Sequence, residues 1–166
     1  MRKILCRGWS PDLNCWVYGA YLDHCNKATC FLGEDKPEYH EHKIIFDRLI
    51  DWGLPNTIKV ADVELESIGE FTGEYLNEKE VYEGDILEAA GNIGIVRYGE
   101  YRNTFACNKE KHIGFYVDWT NKDTCLRNDL GYWISIRSTD VQIIGNTWEN
   151  KEFEPVSYTH LTLPTT

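Results

Sequence analysis

Positive charge is scarce in this chain, and long apolar runs are missing. Lys and Arg number 17 against 27 Asp and Glu, a formal net charge of −10. A surface of that sign repels nucleic-acid phosphates and anionic lipid head groups, so direct nucleic-acid binding and membrane binding are not expected. No stretch approaches the roughly 20 apolar residues of a membrane span. The opening MRKILCRGW has only a three-residue apolar run before Arg7, too short for the core of a secretory signal. A cytoplasmic location follows, in which the six cysteines are expected as thiols. Several chemical signatures are also absent: the phosphate-cradling Gly-Lys-Ser/Thr loop, the dinucleotide glycine turn, H-E-x-x-H and G-x-S-x-G. No catalytic residue and no cofactor is expected, and the chain reads as a non-enzyme.

Aromatic residues are plentiful instead. Six Trp and ten Tyr, with 42% apolar residues overall, can fill a core and favour packing on sheets. Acidic residues cluster between 61 and 85. Nine carboxylates there (Asp62, Glu64, Glu66, Glu70, Glu74, Glu78, Glu80, Glu83, Asp85) face Lys79 alone, so −9 + 1 = −8. Such a cluster serves solubility or meets a basic partner. The run 156–166, VSYTHLTLPTT, carries no charge and resembles a translated sequencing adapter. It is set aside as an artefactual tail.

The pattern along the chain predicts an α+β fold, mainly antiparallel β. Strands are expected at 2–9 and 15–22 around a Pro11-Asp12 turn, with Asn14 tolerating left-handed backbone. A short strand follows at 28–32 and a polar loop at 33–43. Ile45, Leu49 and Trp52 at i, i+4, i+7 predict a helix over 42–52, stopped by Gly53 and Pro55. Further strands are expected at 57–60, 67–72 and 80–89, the last interrupted at Gly84 by a bulge or bend. A tight turn at 90–92 leads to strands at 93–98, 115–119, 132–137 and 141–144, with 99–112 as a loop. The organisation expected is a single domain over 1–155. Its N-terminal part, about 1–60, holds a hairpin and one short helix. The part from about 61 to 150 forms a small SH3-like barrel or meander.

Three motifs stand out. The first is Arg7, Trp9, Trp16, Val17, Tyr18 and Gly19. The second is Ile68, Gly69, Phe71, Thr72 and Gly73, then Val81, Tyr82, Glu83, Gly84, Asp85 and Ile86. The third is Ile144, Gly145, Asn146, Glu149 and Asn150. In these positions the chain resembles the YopX family of phage and prophage proteins. The resemblance implies a phage or prophage origin in a bacterial host, and it implies no particular activity. The chain departs from that pattern at 74–79, Glu-Tyr-Leu-Asn-Glu-Lys, where no glycine is present and a two-residue type I′ hairpin is not expected. Structural roles are expected for the motif residues. Gly69, Gly73 and Gly84 serve close approach or positive φ. Asp85 accepts backbone N–H bonds beside a bend. Phe71 and Tyr82 pack across strands.

Two sets carry potential chemistry. Glu83 and Asp85 flank Gly84, as paired carboxylates would for acid–base work, but no pocket or difference in environment is evident. Cys25, Cys30, His40 and His42 offer four zinc-type ligands in a C-x4-C-x9-H-x-H order that fits no established finger spacing. The function expected is a non-catalytic module that binds a protein partner or a second copy of itself. The alternatives are an acidic inhibitor that imitates DNA charge and binds a host DNA-processing protein, and a small zinc-binding module.

Overall fold

A computed structural model describes residues 4–28, 35–103, 111–121 and 127–153. Among these residues, ten strands form two antiparallel sheets. The first has the order β4-β3-β2-β1-β5-β6, from β1 (Cys6–Ser10), β2 (Cys15–Cys25), β3 (His40–Arg48), β4 (Thr57–Asp62), β5 (Gly69–Leu76) and β6 (Lys79–Tyr82). The second has the order β10-β7-β8-β9, from β7 (Asp85–Ala89), β8 (Asn92–Tyr101), β9 (His112–Trp119) and β10 (Val141–Asn146). The mainly antiparallel β architecture agrees with the expectation from sequence. The second sheet is an open meander, β7-β8-β9, with β10 added beside β7. It does not close into a barrel among the described residues. Strands β4, β5 and β6 belong with the N-terminal sheet, so the change of sheet falls at Gly84 and not near residue 60.

The first hairpin pairs Ser10 with Cys15 and turns through Asn14 at φ 50°. The largest departure from the sequence reading is at 42–52. In place of a helix, His40–Arg48 is strand β3, paired with β2 on one side and β4 on the other. Ile44-Ile45-Phe46 is β-branched and aromatic, and a short apolar run fits either period. Ile44 is fully buried against Val17, Ala61 and Val63, whereas Leu49, Ile50 and Trp52, the intended helix face, are exposed. The reverse error occurs at 132–137. There the strand expectation gives way to helix α1 (Leu130–Ser135), the single α-helix among the described residues, whose Leu130 and Ile134 bury one i, i+4 stripe. The polar loop expected at 33–43 ends earlier, because His40 already pairs with Cys25. The strand expected at 28–32 lies almost wholly outside the described residues.

The 74–79 turn also differs from expectation. Leu76 pairs with Lys79, and the two residues between them, Asn77 and Glu78, both have positive φ (50° and 67°) as a type I′ turn requires. Asn tolerates that region; Glu does not favour it. Burial of Leu76 (2% exposed) and Val81 (0%) beside the turn holds the register in spite of Glu78.

Two cores result. One lies between the sheets and contains Leu76 and Val81 from the β5–β6 hairpin with Leu87, Val96, Val117, Trp119, Leu130, Ile134 and Val141. Trp119 is its largest side chain, edge-on to Trp133 at 4.8 Å, and both indole N–H groups donate to the Arg127 carbonyl. The smaller core, under β1–β4, contains Cys6, Val17, Ile44, Ala61 and Val63.

Candidate functional site

The three sequence motifs, far apart in the chain, meet around Arg7. Its guanidinium pairs with Asp85 at 2.6 Å and lies over the rings of Trp16 (5.1 Å) and Tyr82 (4.9 Å). It also donates to the Glu83 carbonyl at 3.4 Å. The other oxygen of Asp85 accepts the Tyr82 N–H at 2.8 Å, across the bend that Gly84 makes at φ 82°. Burial pushes the Asp85 carboxyl above the ordinary range, and Arg7 and the Tyr82 N–H pull it back. Gly69 sits where an added Cβ would be 2.3 Å from the Glu83 carbonyl oxygen, so only hydrogen fits.

Phe71 and Tyr82 are register partners with rings 5.5 Å apart, and Tyr18 packs on Tyr82 at 5.7 Å. The Thr72 hydroxyl donates to the Val81 carbonyl, and Gly73 lies at the irregularity in β5. Trp9 is edge-on to Trp16, and its backbone N–H donates to the Ser67 hydroxyl. The closing motif is tied in by its own turn. Glu149 N–H donates to Asn146, Asn146 N–H donates to Asn150, and Gly145 pairs with Ile86. The Trp16 indole then donates to the Glu149 carboxylate at 3.0 Å. This arrangement is a packed knot that joins both sheets. At its centre the Arg7 and Asp85 charges pair with each other.

The Glu83–Asp85 pair takes separate partners. Glu83 accepts the Tyr98 N–H, and burial raises its pKa, while Asp85 turns inward to Arg7. Part of the acidic cluster is also paired within the chain. Asp62 pairs with Lys43, Glu66 with Lys151, and Glu80 accepts the Tyr82 hydroxyl. With Glu83 and Asp85, five of the nine carboxylates have identified partners in the fold.

A second cluster forms at the far end of the β2–β3 hairpin. Cys25 pairs with His40 and Asp23 with His42, so all four side chains share the face that carries Ile44. His40 is held on both nitrogens: Nδ1 is 2.6 Å from Asp23 Oδ1, and Nε2 is 2.9 Å from Asp35 Oδ1. These two carboxylates, Asp23 first, raise the His40 pKa. Cys25 Sγ is 4.0 Å from the same Asp35 oxygen. His42 bonds the Tyr21 hydroxyl at 2.8 Å, with the two rings stacked. Of the four ligand candidates in the sequence, the fold brings Cys25 and His40 together and gives His42 another partner; Cys30 lies outside the described residues. Asp23 and Asp35 were missed. Asp35 lies in a charged loop where nothing marks one carboxylate above its neighbours. Asp23, two residues before Cys25 on a strand, was legible from period 2. Asp23, Asp35, His40 and His42 border a cleft of about 330 Å³ lined also by Lys36, Pro37 and Leu65.

The third feature is the edge of the first sheet. Strand β4 bonds β3 on one side, and no strand covers its other side among the described residues. Ile58 (68% exposed) and Val60 (56%) point to the outer face, beside half-buried Ile45 and exposed Leu22. The preceding loop exposes Leu49, Ile50, Trp52 (94%) and Leu54. No helix among the described residues is long and apolar enough to cross a membrane. Comparison with protein-family models, curated proteins and solved structures finds no match to this chain.

Proposed function

We propose that the chain is a non-catalytic interaction module that pairs with a second copy of itself along β4. One observation carries this reading: the six-residue β4 edge is open among the described residues and flanked by Ile58, Val60, Trp52 and Leu54, all more than half exposed. An open edge offers a row of unpaired N–H and C=O groups, and exposed apolar side chains add the drive to cover it. A second copy fits because an antiparallel strand pair is self-complementary about a two-fold axis. The opposite edge, β6, has only four residues and is a poor template. The motif resemblance to the YopX family adds a phage or prophage accessory role, in the cytoplasm of a bacterial host, to this proposal.

The acidic-inhibitor alternative has less support, since Asp62, Glu66, Glu80, Glu83 and Asp85 already have partners within the chain. Light scattering coupled to gel filtration at tens of micromolar tests the pairing. A dimer that Val60→Lys and Ile58→Lys convert to a monomer is expected. A monomeric parent, or a dimer indifferent to both changes, overturns it.

A further inference from the structure

The geometry points to a divalent transition-metal site, suited to Zn²⁺, formed by Cys25 Sγ, His40 Nε2 and Asp35 Oδ1, with Asp23 as the residue that orients His40. The three ligand atoms lie within 4.8 Å of one another. They come from two paired strands and the connection between them, since Cys25 and His40 are register partners and Asp35 precedes the turn at Pro37–Tyr39.

The donor types decide the metal class. A thiolate, an imidazole and one carboxylate suit zinc, which takes S, N and O ligands at roughly 2.0–2.3 Å. Calcium and magnesium want oxygen donors alone. A thiolate and a carboxylate together neutralise the charge of a divalent ion. Three protein ligands leave one tetrahedral position, and the adjoining cleft along Lys36, Pro37 and Leu65 can admit a water or an exogenous ligand to it.

Asp23 supplies the second, independent indication. A ligating histidine characteristically donates its other ring N–H to a carboxylate, which fixes the tautomer and turns the free nitrogen to the metal. Asp23 Oδ1 is 2.6 Å from His40 Nδ1 and does that here, leaving Nε2 directed at Asp35 and the cleft. The site lies on the opposite face of β2–β3 from Leu22 and Ile45, so it is independent of the pairing proposed for β4.

Titration of the reduced, metal-free whole chain with Co²⁺ alone tests the site, followed by displacement with Zn²⁺. One equivalent should bind with thiolate-to-cobalt absorption in the near ultraviolet. Cys25→Ser should abolish that absorption, and His40→Ala and Asp35→Asn should each abolish binding or weaken it at least as much as loss of an outer-shell partner does, about 10-fold or more. Asp23→Asn should weaken binding about 10–100-fold with the stoichiometry kept. Cys15→Ser, at an exposed cysteine elsewhere, should change nothing. Cys30→Ser separates the geometric ligand set from the sequence quartet: it should leave binding intact. Absence of a thiolate band at stoichiometric Co²⁺, a band that survives Cys25→Ser, or loss with Cys30→Ser but not with Asp35→Asn would each overturn the assignment. Far-ultraviolet circular dichroism of every variant checks that the fold is retained.

Discussion

Removal of the Asp85 carboxylate should cost this chain a large part of its stability. Asp85 is 2% exposed, and the Arg7 side chain it pairs with is 11% exposed. Asp85→Leu leaves the guanidinium charge buried without a counter-charge, a change that costs about 3–5 kcal/mol. It also strands the buried Tyr82 N–H, which then has no acceptor from that side chain, at about 1–3 kcal/mol. These penalties overlap, because the same relaxation eases both, so we expect a loss of about 4–5 kcal/mol against a typical total of about 5–15 kcal/mol. The rings of Trp16 and Tyr82 on either side of Arg7 recover only a fraction, since a cation over an aromatic face contributes about 0.5–2 kcal/mol and is already present in the parent.

The pair Arg7→Met with Asp85→Leu separates the charge from the packing. Replacing a buried ion pair by apolar side chains of similar volume is often neutral. The double variant should then lose only what the stranded Tyr82 N–H costs, about 1–3 kcal/mol. Its loss should be far less than the sum of the two single changes. Urea unfolding followed by tryptophan emission reads this directly, with an unchanged slope marking a pure stability effect. A loss below about 1 kcal/mol for Asp85→Leu would refute the reasoning, as would a double variant as unstable as the sum of the singles.

Two further outcomes are expected. Glu78→Gly relieves a left-handed non-glycine residue in the two-residue turn, and a gain of about 0.5–1 kcal/mol should raise the urea midpoint; a lowered midpoint would mean that the turn is not of the type described. Tyr101 is partly buried and donates to Asp129 at 3.0 Å, which together push its pKa up to about 12, so its contribution to stability is complete below pH ~10 and is lost as pH rises from ~10 to ~12. Tyr101→Phe should remove a late component of the alkaline tyrosinate absorbance and flatten the alkaline loss of stability; no change in either would count against the Asp129 bond.

Period-2 alternation and turn chemistry made most of the fold legible. Pro11-Asp12 with Asn14, the Gly91 turn and the Gly84 break are local signals, and each falls where the backbone requires it. The errors share a cause. At 42–52 and 132–137 short apolar runs fit both periods, and the deciding contacts are distant in sequence: Val17, Ala61 and Val63 around Ile44, and the β-sheet core around Leu130 and Ile134. The type I′ turn at Asn77-Glu78 was unreadable for the same reason, because the register is fixed by burial of Leu76 and Val81 and not by the turn residues. The Cys25–His40 cluster shows the limit most plainly. Reading ligands along the chain selected residues by type and missed Asp35, whereas strand pairing selects them by position. Once His40–Arg48 is a strand and not a helix, Cys25 must face His40, and Asp23 must lie on the same side two residues away. Had 42–52 been a helix, His42 would have begun it, and His40 would have lain in a loop with no fixed relation to Cys25. The error in secondary structure therefore hid the pairing of Cys25 with His40, whereas Asp35, between the two strands, was hidden by its charged neighbours.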